Sequence, residues 1–192
     1  MRRKLILASQ SARRKKILTS LGLEYKVIVP VNPETHNKKK PSAIVKDLAL
    51  GKAMEVKDKI KDGVILAADT FVYAKGEIIG KPKSKKDAKR ILKRITSFIH
   101  CVYTGIAVID TYSNKVYVDY EKTPVKMRKM SDEEINDLSK KHLDKAGAYA
   151  IQEKDDAMVE YIKGDYYNVV GLPVKKTIKL LKKCGIKLTL HV

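Results

Sequence analysis

Four short polar stretches hold the side chains that could do chemistry. Ser9-Gln10-Ser11-Ala12-Arg13-Arg14 joins an apolar run, KLILA, to a helix-like segment. Amides at a helix start, two hydroxyls and two guanidinium groups suit a chain of phosphates. A capped helix with solvated arginines would use the same residues. Ala67-Ala68-Asp69-Thr70 puts a carboxylate directly after a second apolar run, at the rim of a sheet where α/β sites form. There it could act on water as a base, hold a divalent cation that bridges phosphates, or simply close a turn. Gly80-Lys81-Pro82 offers a lysine on a rigid turn, suited to neutralising phosphate. The small residues of Lys145-Ala146-Gly147-Ala148-Tyr149-Ala150-Ile151-Gln152 would admit a flat ligand, and Gln152 could read a base edge with its paired donor and acceptor. A tight backbone crossing accounts for the same small residues.

Other chemistries lack their residues. There is no G-x-x-x-x-G-K-[ST], G-x-G-x-x-G or H-E-x-x-H, and no EF-hand loop. His36, His100, His142 and His191 stand apart in the chain, which gives little support to a histidine-built metal site or a serine triad. Cys101 and Cys184 have neither zinc nor C-x-x-C spacing.

The elements that must position these groups follow from hydrophobic period and punctuation. Lys4–Ala8 reads as a buried strand, and a helix runs from Ala12 to a stop at Gly22. A short strand is expected around Tyr25–Val29, then an exposed loop from Pro30 to Pro41. Ile44, Val45, Leu48, Ala49, Ala53 and Val56 recur at helical spacing from about Ser42, with Asp62-Gly63 as the stop. Val64–Ala68 is a second buried strand that should end at Asp69-Thr70. Phe71–Ala74 and Glu77–Ile79 should form a hairpin around Lys75-Gly76. Ser84 with Asp87 opens a helix to about Ile95, and Ser131 with Glu134 opens one to about Lys141. Between them, Cys101–Asp110 and Val116–Met127 read as strands around TYSN. Asp155-Asp156 reads as a turn, Ala157–Lys163 as a strand, the stretch after Pro173 as a helix, and IKLTLHV as a last strand. Interleaved strands and helices with hairpins in the middle predict a mixed α/β sheet with flanking helices.

Composition bounds the class. The 192 residues, 44% of them apolar, allow one sizeable domain, taken as residues 1–192, or two small lobes on a shared sheet. No apolar run reaches the ~18 residues of a membrane span, and no secretory leader is visible, so a cytoplasmic protein is expected. Lys and Arg number 41 against 22 Asp and Glu, a formal net charge of +19. That field attracts polyanions, nucleotides and nucleic acid included. A lysine-rich surface alone would give the same balance.

Taken together, LASQSARRKKIL, AADTFVYAKGEIIGKP, HCVYTGIAV, DKAGAYAIQ and GDYYNVVGLP resemble the motifs of the Maf family of nucleotide pyrophosphatases, in the family's order from Leu7 to Pro173. The resemblance implies an elongated mixed α/β fold with a cleft between two lobes, related to inosine triphosphate pyrophosphatases. It implies hydrolysis of a nucleoside triphosphate to the monophosphate and pyrophosphate, with Mg²⁺ or Mn²⁺. Asp69 matches the family's proposed proton acceptor. Arg13, Thr70 and Gln152 match positions tied to base choice in the branch preferring dTTP and UTP. Ser9, Arg14, Glu34, Lys52 and Lys81 match polar positions of the pocket. The one visible departure is Ala12, where the family usually has a proline that pre-sets the first helical turn.

On that resemblance the expected mechanism holds the triphosphate with Ser9, Arg13, Arg14, Lys52, Lys81 and the helix start. A cation would bridge phosphate oxygens and Asp69 or Glu34, and water would attack the α-phosphorus. The family also implies a homodimer and has ties to septum formation. Two rival classes are a non-enzymatic regulator of cell division, from those ties, and a non-specific nucleic-acid-binding protein, from the +19 charge. Against the second, no aromatic stacking platform interleaved with basic residues stands out; neither specific nucleic-acid binding nor membrane association is expected.

Overall fold

A computed structural model of the chain describes residues 3–31, 36–96, 98–151 and 158–187. Seven strands and six helices alternate along these residues: β1 (Leu5–Leu7), α1 (Ala12–Ser20), β2 (Lys26–Val27), α2 (Pro41–Lys57), β3 (Val64–Ala74), β4 (Glu77–Ile79), α3 (Lys85–Ile95), β5 (His100–Asp110), β6 (Lys115–Met127), α4 (Asp132–Leu138), β7 (Val159–Ile162), α5 (Tyr166–Val170) and α6 (Val174–Lys183). A 3₁₀ turn, Ala146–Ala148, follows α4. The sheet runs β2-β1-β3-β5-β6-β7, with β4 paired to β3. β1 is parallel to β2 and β3, whereas β4 and β7 are antiparallel to their neighbours. The mixed sheet expected from the interleaved pattern is the one observed. Among the described residues no helix is long and apolar enough to cross a membrane.

The chain divides into two compact units. The first comprises Met1–Asp69, Thr104–Glu121 and Gly171–Val192. Here alternate residues of β1 and the position after it, Ile6 and Ala8, of β3, Ile65 and Ala67, and of β5, Ala107 and Ile109, form one buried layer with Ala49, Ala53 and Val56 of α2. Period two on the strands and period 3.6 on the helix create the two matching faces. The many alanines let the helix lie close. Gly105 lets it lie closer still: a Cβ there would stand 2.0 Å from the Val45 carbonyl oxygen.

The second unit comprises Thr70–Tyr103 and Lys122–Val170. Val72, Ala74 and Ile79 pack with Ala88, Ile91, Leu92 and Ile95 of α3 and Ile135 and Leu138 of α4. The predicted caps are present. Ser84 Oγ accepts the Asp87 amide at 3.1 Å, and Ser131 and Glu134 form a reciprocal capping box. Each such cap is worth about 1 kcal/mol.

Two expectations need correction. β3 does not end at Asp69 but continues to Ala74, because Thr70, Phe71, Val72 and Tyr73 are strong strand formers with no breaker before Lys75-Gly76. One aspartate cannot outweigh that run. Tyr166–Val170, to which the sequence assigns no element, forms a short helix. Ile186 and Lys187 carry no strand; the rest of the expected last strand, and the Asp155-Asp156 turn, lie outside the described residues.

Candidate active site

Parity along β3 decides where Asp69 points. Ile65 and Ala67 face α2, and Asp69 is the next residue of that series. On α2, Lys52 lies between Ala49 and Ala53, on the face that meets the sheet. The two side chains meet: Lys52 Nζ donates to Asp69 Oδ1 at 2.5 Å. Their side chains are 16% and 10% exposed, so the pair is largely removed from water. Partial burial strengthens the attraction and makes either charge costly to leave alone.

Asp69 also has a defined place along its strand. β1 pairs with Val64–Leu66 and β4 with Val72–Ala74, so Asp69 falls between the two registers. It stands just past the point where β1 leaves the sheet. The sequence placed this carboxylate at the end of its strand; it lies instead within β3, past the stretch paired with β1 and before the stretch paired with β4.

The chain leaving β1 builds the second group. Ala8 N–H still donates to the Leu66 carbonyl at 2.8 Å, and Ser9 then turns into α1. The register Leu7↔Leu66 therefore sets Ser9 about level with Ala68, one strand spacing away. Ser9 is buried, and its Oγ accepts the Ser11 amide at 3.2 Å and Arg14 Nη1 at 3.0 Å. Arg14 Nε donates to the Gly171 carbonyl at 2.9 Å. Ser11 caps α1, accepting the Arg14 amide at 3.5 Å. Arg14 thus braces the loop between β1 and α1 against the segment before α6. Both lone pairs of Ser9 Oγ are used, so its remaining capacity is to donate its proton.

Ser9 contacts Arg14, Lys52 contacts Asp69, and both pairs belong to the first unit. Arg13 is half-buried at the second position of α1, beside the helix start. Thr70 and Lys81 belong to the second unit; Thr70 is half-buried, and Lys81 is exposed on the loop after β4. Glu34 and Gln152 lie outside the described residues. Among the described residues no three His, Cys, Asp or Glu cluster as a metal site. Two contributors carried no role in the sequence reading. Gly171 acts through a carbonyl, which leaves no mark in sequence. Gly105 was detectable, because a glycine inside the apolar run VYTGIAV signals a close backbone approach.

With this geometry in place, the comparisons with known proteins are specific. Residues 4–184 match the family described as Maf, Maf-like protein. A dTTP/UTP pyrophosphatase of Dictyoglomus turgidum is 45% identical over 192 residues, covering 98% of this chain and 100% of its own. One of Alkaliphilus metalliredigens is 47% identical over 184 residues, covering 94% and 95%. Among solved structures, the Ham1 protein of Staphylococcus aureus aligns over 94% of this chain and 98% of its own with a TM-score of 0.56. At 11% identity that likeness concerns the fold alone.

Proposed function

The chain belongs to the Maf-like family, and from that premise we infer that it hydrolyses nucleoside triphosphates, dTTP and UTP foremost, to the monophosphate and pyrophosphate. The observation that supports the reading is the largely buried Lys52–Asp69 pair, in the same unit as Ser9 and the start of α1. A carboxylate beside a cationic, donor-rich helix start is what phosphoanhydride hydrolysis requires.

In this mechanism Arg13, the Ser9 hydroxyl and the amides at the start of α1 receive phosphate oxygens, with Lys81 adding charge. Arg14 contributes by holding Ser9 as well as by its charge. Lys52 fixes Asp69 through Oδ1, which leaves Oδ2 to orient water and accept its proton. Attack at the α-phosphorus then releases pyrophosphate. Catalysis is mostly positioning and neutralisation. The donor chemistry fits Mg²⁺ or Mn²⁺, hard cations that need only one or two protein carboxylates when substrate phosphates supply further oxygens. Asp69 and Glu34 would hold such an ion, which would neutralise charge on the triphosphate. Gln152 reads the imide edge of uracil or thymine through its amide, alongside Arg13 and Thr70. A cytoplasmic homodimer completes the reading, resting on the family likeness.

The test is a panel of the common triphosphates with Mg²⁺, its products separated by chromatography. Monophosphate and pyrophosphate should appear, fastest from dTTP and UTP. Nucleoside diphosphate as the main product would reject the reading.

A further inference from the structure

The second unit contains a buried polar pair that the proposed chemistry does not use. His100, the first residue of β5, is 1% exposed, and Tyr149 is 4% exposed. His100 Nε2 and the Tyr149 hydroxyl lie 2.9 Å apart, and the rings cross edge to face with centroids 5.5 Å apart. Burial drives the imidazole pKa down to about 4, against a weaker opposing effect of the Ile95 and Phe98 backbone. The ring is thus neutral near pH 7. Its Nδ1 makes no well-formed hydrogen bond. In the tautomer that carries its proton on Nδ1, Nε2 accepts from the phenol.

Tyr149 ends a strained turn. Gly147 has φ 76 and Ala148 has φ 58, two successive left-handed residues of which the second carries a Cβ. Such a conformation costs about 1–2 kcal/mol at the alanine and persists only where its surroundings impose it. The surroundings are identifiable. Gly147 N–H donates to the Gly80 carbonyl at 3.1 Å, and a Cβ on Gly147 would meet Val72 at 2.8 Å and the Tyr149 ring at 2.9 Å. The turn is therefore held by the Gly80 carbonyl and closely bounded by Val72 and the Tyr149 ring. Gly80 directly precedes Lys81.

We propose that His100 and Tyr149 form a positioning pair for substrate binding: their hydrogen bond locks the Ala146–Ala148 turn, whose Gly147 amide in turn holds the Gly80-Lys81 loop. The pair touches no substrate and acts through Lys81. The inference rests on the reading of Lys81 as a phosphate contact.

Tyr149→Phe removes one oxygen and keeps the ring. Two measurements on the full chain test the pair. Amide hydrogen exchange at Gly147 should quicken by about tenfold relative to the β3 amides, as the loss of one buried hydrogen bond implies. The KM for UTP should rise about threefold or more with kcat within about twofold, the signature of lost binding rather than lost chemistry. His100→Gln, which keeps a side-chain acceptor, should lie nearer wild type than His100→Leu in both readouts. Unchanged Gly147 exchange overturns the coupling. Quickened exchange with an unchanged KM, or a fall in kcat at constant KM, overturns the role in binding. A wild-type protein inactive on every triphosphate would instead bring down the pyrophosphatase reading and this role with it.

Discussion

Lys52 Nζ sits 2.5 Å from Asp69 Oδ1, although seventeen positions and two different elements separate the residues. The contact joins a helix face to a strand face and leaves one carboxylate oxygen for chemistry. Asp69→Asn keeps the shape and removes the negative charge. We expect kcat to fall by about 10²-fold or more, as for loss of a general base or cation ligand, with the circular dichroism spectrum unchanged. Pyrophosphate release near the wild-type rate in a folded variant would reject the assignment.

The Lys52–Asp69 contact depends on how closely α2 approaches the sheet, and Gly105 controls that approach. A Cβ at Gly105 would stand 2.0 Å from the Val45 carbonyl oxygen, so α2 must move, and Lys52 is two helical turns beyond Val45. Gly105→Ala should destabilise by about 1–3 kcal/mol, the usual range for overpacking, and lower kcat/KM by about tenfold or more through misplacement. Gly51→Ala is the control. It lies on the same helix beside Lys52 with nothing within 4 Å of its Cβ, so it should raise stability by about 0.4–1 kcal/mol and leave kcat/KM alone. Opposite Tm shifts from the two substitutions are the outcome to look for.

How far the sequence discloses this site depends on range. Caps at Ser84 and Ser131 act within three residues, so their side-chain pattern announces them. The order of strands and helices is equally legible, because each period is local. Asp69 is identifiable as a group at a sheet rim, yet its strand runs on to Ala74 because pairing with β4 and a β-branched, aromatic run outweigh a single aspartate. The five-residue α5 has too few residues to show a period. Arg14's tie to Gly171 spans 157 positions and ends on a carbonyl, so nothing in the residue types discloses it.

Burial of His100 makes a second, pH-dependent claim. Its folded pKa of about 4 lies below the ordinary 6.5, so between those values the unfolded chain binds the proton more readily. Its contribution is fully present above pH 6.5 and is lost as pH falls toward 4, a total on the order of 3 kcal/mol. Denaturant melts at pH 7 and pH 4.5 should therefore show a larger loss for wild type than for His100→Gln, which has no proton to gain. Parallel losses in the two proteins would mean that His100 is not held neutral.

Ser9 offers the sharpest test of the phosphate reading. Its hydroxyl already accepts from the Ser11 amide and from Arg14 Nη1, so the proton it carries is aimed at something other than those two groups. A phosphate oxygen at the start of α1 is the acceptor the site would supply. A hydrogen bond to a charged group contributes about 1.5–3 kcal/mol, so Ser9→Ala should lower kcat/KM for UTP by about 10–100-fold. The competing account makes Ser9 only a tether for Arg14. A double-mutant cycle separates them. Arg14→Lys keeps the charge but loses the two-pronged grip on Ser9 and Gly171. If Ser9 only tethers Arg14, Ser9→Ala should cost nothing further in the Arg14→Lys background. If Ser9 also donates to phosphate, most of its effect on kcat/KM should survive there.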